Sequence, residues 1–174
     1  WANGTLRLLD QTLLPSEEVI VEVHGYLEAV DAIRTMRVRG APAIGVTAAY
    51  AVAMAARDLD VLDRATFLQQ LADAGTEIKA ARPTAVNLMW AVDRMLGIAN
   101  EETDIPRTKD RLLEEALLIE KEDEEINRRM GRHGMDLMPD GGSVLTHCNA
   151  GALATAAFGT AVGVIRAGWE DGKR

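Results

Sequence analysis

The sequence predicts an α+β amino-terminal region, mostly helical with a small antiparallel sheet, that leads into the start of an α/β domain. Three observations predict it. Two short runs rich in Leu, Val and Ile lie near the amino terminus, separated by Leu14-Pro15-Ser16-Glu17. Five stretches of helical apolar spacing follow between Tyr26 and His133. Near the carboxyl end, the turn Gly141-Gly142 precedes the apolar run Val144-Leu145 and then an alanine-rich segment.

A chain of 174 residues is long enough for one domain with a real core, or one domain and part of another. Its 48% hydrophobic and 26% charged residues are those of a globular protein in water. A net charge of -8 argues against a general nucleic-acid binder, because neutralising phosphates needs clustered Lys and Arg. The single cysteine excludes an internal disulfide and fits a reducing compartment. No basic-then-apolar secretory segment opens the chain, so a cytoplasmic protein is expected. The longest apolar run, Ile44 to Ala56, is interrupted by Thr47 and falls short of the roughly 20 residues that span a bilayer.

Taken in order, Thr5 to Gln11 and Glu18 to His24 read as the strands of a hairpin, with Asp10-Gln11 more readily a polar strand end than a functional pair. From Tyr26, the spacing Leu27, Val30, Ile33, Met36 predicts a helix that stops at Arg39-Gly40. Pro42 suits the first turn of a second helix that runs to about Arg57. Arg39 thus precedes a helix start, where it could hold a phosphate through paired N–H donors; a surface arginine beside a cap is the equal alternative.

Asp63 to about Ala81 reads as a helix with Phe67, Leu68, Leu71 and Ile78 inward. The turn Arg82-Pro83-Thr84 repeats the earlier arrangement of arginine, proline and helix start, with Thr84 placed to cap the next helix. That helix carries Leu88, Val92, Met95 and Leu96. Pro106 opens a long acidic helix from about Arg107 to His133, with an apolar seam of Leu112, Ala116, Ile119, Ile126 and Met130 that Asp123 interrupts. Its run Glu120 to Glu125 reads as a solvated face with i,i+4 ion pairs rather than a metal site.

Val144 to Thr146 reads as a buried strand, and the segment from Gly151 to about Trp169 as a helix. Cys148 would then sit where a strand hands over to a helix, which is the usual ligand crevice of open α/β folds. A helix start there would favour an anion and lower the thiol's pKa. Taken alone, such a cysteine reads more readily as a small buried hydrophobe. His147, Asn149 and Gly151 set this one apart. Since one strand-and-helix unit cannot make a parallel sheet, the sequence is expected to be the front part of a larger protein. The expected divisions are residues 1–106 for the helical domain with its small sheet, 107–140 for a connecting helix and turn, and 141–174 for the first unit of the sheet domain.

The blocks LRLLDQTLLP, RGAPAIGV, ARPTAVNLMWA and LTHCNAGALAT resemble, in that order, the methylthioribose-1-phosphate isomerase family of methionine salvage. That family is similar to the alpha, beta and delta regulatory subunits of translation initiation factor 2B. The resemblance implies a homodimer and a Rossmann-like second domain that binds no nucleotide cofactor. It implies an aldose–ketose isomerase acting on 5-methylthioribose 1-phosphate. By the same resemblance, Arg39, Gly40, Ala41 and Arg82 bind substrate and Cys148 is catalytic. An acid/base aspartate belongs to sequence beyond Arg174, and no metal is implied. The implied partners are a sugar phosphate, the carboxyl-terminal part of the same protein and a second copy, without nucleic acid or membrane. An apolar wall for the methylthio group is expected, with no residues assigned to it. The alternatives are a non-catalytic regulatory subunit of the same fold and a ribose-1,5-bisphosphate isomerase.

Overall fold

The structure is a computed structural model, and it describes residues 1–173. Its organising element is a helix apolar on every side. From Ala43 to Ala56, each residue of α2 (Ala41–Asp58) is buried. A helix without a polar face can only sit inside a bundle. Around it pack α1 (Tyr26–Arg34), α3 (Arg64–Ala80), α4 (Val86–Glu101) and α5 (Ile105–Met135). Thr47, the one polar interruption, donates its hydroxyl to the Ala43 carbonyl at 2.7 Å and is satisfied within the helix.

The hairpin forms, with strands shorter than the sequence suggests. β1 (Leu6–Leu9) pairs antiparallel with β2 (Ile20–Val23), Leu6 opposite Val23 and Leu9 opposite Ile20. Leu6 and Val23 are both buried, so this pair fastens the ribbon to the bundle. Asp10 and Gln11 leave the ladder and are themselves buried. The Asp10 carboxylate accepts the Thr12 N–H at 3.0 Å and its hydroxyl at 2.6 Å, a local turn that bends the chain away.

The helices keep their order, with corrected ends. α1 stops at Arg34 rather than at Arg39-Gly40. Thr35 donates both its N–H and its hydroxyl to the Asp31 carbonyl, and Met36 then turns left-handed at φ 62°. A methionine there takes the place more often given to glycine, which spacing alone does not reveal. Leu27 and Met36, both expected on the apolar face, are exposed. In α3, Asp63 caps the Thr66 N–H at 2.8 Å, and Phe67, Leu71 and Ile78 are buried as expected. The cap position of α4 is Ala85 rather than Thr84, whose side chain is exposed.

In α5, Asp104 caps the Arg107 N–H at 2.9 Å. Leu112, Ala116 and Ile119 enter the core, but Ile126 and Met130 are exposed, so the apolar seam leaves the bundle after Asp123. The second half of α5 packs instead on α6 (Ala161–Glu170). Gly131 makes that approach possible: a Cβ there would lie 2.7 Å from the Phe158 ring and 3.2 Å from the Gly163 carbonyl.

The acidic run is only partly the solvated face expected. Lys121–Glu125 and Glu124–Arg128 are i,i+4 pairs at 3.6 and 2.7 Å. Glu120, however, accepts the buried Tyr50 hydroxyl, and Glu122 holds Arg94 at 2.6 Å. Among the described residues, no helix is long and apolar enough to cross a membrane.

The largest departure lies after residue 140. Val144 to Thr146 forms no strand, and residues 141–149 are all exposed, Leu145 at 98%. A strand needs a neighbour for its backbone donors and acceptors, and none of the described residues pairs with this run. Nor does one helix run from Gly151 to Trp169. A single 3-10 turn, Ala152–Ala154, is followed by extended Thr155 and by left-handed Phe158 and Gly159 before α6 begins.

Candidate functional site at the start of α2

The amino-terminal end of α2 is where the sequence blocks meet. Gly40 caps the helix with φ 103°, a conformation that favours glycine, and Pro42 occupies the first turn. A Cβ on Gly40 would lie 2.4 Å from the Ala154 Cα and 2.7 Å from its carbonyl oxygen. The segment following Cys148 therefore rests directly on the bare backbone of the Arg39-Gly40 turn.

Two further ties hold that segment. Gln11 donates its amide to the Leu153 carbonyl at 2.7 Å, while its own N–H donates to the Arg37 carbonyl at 2.9 Å. One residue thus connects the hairpin end, the arginine turn and the loop after the cysteine. Its Oε1 is buried without a hydrogen-bond partner among the described residues. From the other side, Asp123 accepts the Ala156 N–H at 2.7 Å. Burial pushes the Asp123 carboxyl above its ordinary value, and the hydrogen bonds from Ala156 and Asn127 offset only part of this. Asp10 shifts the opposite way, held low first by the Thr12 hydroxyl, with Arg37 at 3.6 Å adding to it.

The second arginine turn joins through helix packing. Gly45 faces Asn87, where a Cβ would lie 3.0 Å from the Asn87 carbonyl, so the first turns of α2 and α4 touch. Arg82 is half-buried and its carbonyl accepts the Ala85 N–H at 3.0 Å. Two adjacent helix starts, each preceded by an arginine, are suited to an anion: free N–H donors and the helix dipoles favour negative charge.

Arg39 and Ala41 are exposed and Gly40 is half-buried. Cys148 is exposed, in the left-handed region at φ 68°. For a non-glycine residue that backbone is strained, and such strain gathers at functional sites. The expected helix start beside the thiol is absent. The first α-helix after Cys148 begins at Ala161, so no helix start points at the thiol.

Two cavities flank the first turns of α2. One of ≈ 220 Å³ lies between β1, α2 and the 3-10 turn, with Gln11, Thr47 and Tyr50 in its wall. The Tyr50 ring stacks on Trp1 at 5.2 Å, and burial holds its hydroxyl well above the usual tyrosine range. The other, of ≈ 470 Å³, lies between the starts of α2 and α4 and the middle of α5. Pro42 and Val86, close after Arg39 and Arg82, line the second; the two arginines and Cys148 line neither.

Sequence reasoning favoured a polar strand end for Gln11 over a functional one, and missed Asp123 as a residue of this region. Gln11 gave the signal of a polar residue inside an otherwise apolar block, and Asp123 that of a carboxylate breaking an apolar seam.

Comparison with known proteins agrees with the fold. A methylthioribose-1-phosphate isomerase of Acetivibrio thermocellus is 54% identical over 175 residues, which is 99% of this chain and 51% of that protein. A solved structure of 5-methylthioribose 1-phosphate isomerase from Pyrococcus horikoshii superimposes with a TM-score of 0.91 at 38% identity, covering 99% of this chain and 49% of that one. The delta subunit of translation initiation factor eIF-2B from A. fulgidus superimposes at 0.87 with 42% identity, covering 99% and 51%. The chain spans about half the length of the curated relatives it matches. The sequence model of one family matches residues 37–174, from the first arginine turn through the loop of Cys148. The chain therefore belongs to the initiation factor 2 subunit family.

Proposed function

We propose that this chain is the amino-terminal half of an aldose–ketose isomerase that converts 5-methylthioribose 1-phosphate to 5-methylthioribulose 1-phosphate. The observation that carries the reading is the seat of the Cys148 loop on Gly40, which joins the nucleophile's segment to the phosphate-favouring start of α2. The names of the relatives supply the substrate. In this reading Arg39 and Arg82 hold the phosphate, the backbone of Gly40 and Ala41 approaches it closely, and Cys148 acts on the carbons. The phosphate sits on the anomeric oxygen, so the ring must open before hydrogen moves between the first two carbons. An aspartate of the remaining half is the acid and base for that opening.

The same half would complete a Rossmann-like sheet with residues 141–174 as its first unit, after the helical domain of 1–106 and the connector of 107–140. Exposed Val144 and Leu145 fit a strand whose neighbours lie in that half. A cytoplasmic homodimer that binds neither nucleic acid nor membrane completes the proposal.

A second reading, a non-catalytic subunit of initiation factor 2B type, draws support from the likeness to the eIF-2B delta structure. Ketose formation by the full-length protein separates the two. Cys148→Ser should lower kcat by about 10²–10⁴ with an unchanged melting temperature, because serine nearly matches cysteine in size and shape. Wild-type turnover in that variant would overturn the catalytic role of Cys148, and no turnover in the parent would favour the regulatory reading.

A further inference from the structure

Gln11 is 6% exposed and ties together two loops that lie far apart in the sequence. Its backbone N–H donates to the carbonyl of Arg37, just ahead of Arg39, at 2.9 Å. Its side-chain Nε2 donates to the carbonyl of Leu153, in the loop after Cys148, at 2.7 Å. We infer that Gln11 is a positioning residue of the isomerase, whose amide sets the spacing between the Arg39 turn and the loop that carries the Cys148 thiol. The inference rests on the isomerase reading.

The task of the side chain is separable from that of the backbone. The bond to Arg37 can form with almost any residue at this position, so it does not account for a glutamine. Among the described residues, the amide makes its one hydrogen bond to Leu153, and its oxygen is buried without a partner. A buried acceptor left in that state destabilises a fold, whereas an apolar side chain of the same length would fill the space without that penalty. What the glutamine adds is an N–H donor with the reach to hold the turn.

From Leu153 the constraint reaches the thiol through short, closed turns. Leu153 is the middle of the 3-10 turn Ala152–Ala154, which rests on Gly40 through Ala154. The Gly151 carbonyl accepts the Ala154 N–H at 3.0 Å, and the Ala150 carbonyl accepts the Thr160 N–H at 2.9 Å. Gly159 packs on the same backbone, where a Cβ would lie 2.8 Å from the Gly151 carbonyl carbon. Ala150 is buried, and exposed Cys148 hangs just ahead of it. A shift at Leu153 therefore carries the thiol's attachment with it, while Arg39 stays at the start of α2. Asp123 still holds the Ala156 N–H from α5, so the loop keeps a second tie when the first is cut. Reacting atoms must approach to about 3–3.5 Å, and a misplacement of about 1 Å can cost on the order of 10²-fold in rate.

The test measures kcat and KM of the full-length protein for 5-methylthioribose 1-phosphate in Gln11→Met and Gln11→Glu. Methionine keeps the length without a donor, and an ionised glutamate keeps the shape but offers only acceptors to the Leu153 carbonyl. Each should lower kcat on the order of 10²-fold. KM should stay within about twofold, the pattern of a loss confined to the transition state. Ile20→Ala, at an exposed position of the same hairpin, should leave both constants unchanged and so controls for a loosened ribbon. Faster hydrogen exchange at the Ala154 amide in both Gln11 variants reports the released turn independently of turnover. A lower melting temperature with parental kcat and KM marks a merely structural residue and overturns the inference. So does a raised KM at parental kcat, or failure of both variants to fold. A parent protein that does not isomerise the sugar overturns the isomerase reading, and this inference with it.

Discussion

Gly40 and Asp123 show how single residues fix the loop after Cys148. At Gly40, two requirements coincide: a left-handed backbone and no room for a Cβ against Ala154. Gly40→Ala should cost more than ~1 kcal/mol and lift the loop from α2, seen as faster hydrogen exchange at the Ala154 and Thr155 amides. Asp123 acts through its charge. Because burial raises its pKa in the folded state, its contribution to stability is fully present below its ordinary value of 3.8 and is lost as pH rises through the folded value. Asp123→Asn keeps an acceptor for the Ala156 N–H and removes the ionisation. The variant should therefore melt progressively higher than the parent as pH goes from 4 to 8, and a constant difference across that range would contradict the assignment. Neither residue's task was written in local pattern. Gly40 was read as the stop of α1, whereas it caps the start of α2 and touches Ala154 more than a hundred positions away, and Asp123 announced only that a seam was broken.

At the level of elements, legibility followed how local the cause was. The start of α2 could be read because proline and glycine act through their own dihedral angles. The caps of Asp63 and Asp104 bind N–H groups three residues on; the sequence reading named Thr84 as a cap and neither aspartate, and Thr84 goes unused. The strand at Val144 could not be realised from its own residues, since its hydrogen bonds belong to a neighbour. Between α4 and α5, the sequence showed a face of charges where the structure has a fork: Arg94 meets Glu115 at 2.5 Å and Glu122 at 2.6 Å. Glu115 is buried, and Arg94 holds Glu122 below the usual carboxylate range. Arg94→Met should lower stability by about 1–3 kcal/mol, the range for charge-assisted bonds discounted for a partly open site, measurable by urea unfolding at pH 7.

For the molecule as a whole, the bundle around α2 and the seam of α5 with α6 are two packed regions joined by one continuous helix, while the nine residues from Gly141 to Asn149 lie on the outside without secondary structure. That stretch has a biochemical consequence. A protease must draw several residues of chain into its cleft in extended form, and open, irregular segments permit this where helices refuse. The stretch contains no lysine or arginine, so trypsin will pass over it, whereas chymotrypsin can cut beside Leu145, whose side chain is almost wholly in solvent. The 174-residue chain should thus be nicked there early in digestion. A longer form that covers Leu145 with further strands should resist the same enzyme, and the gel pattern would report whether the sheet has closed.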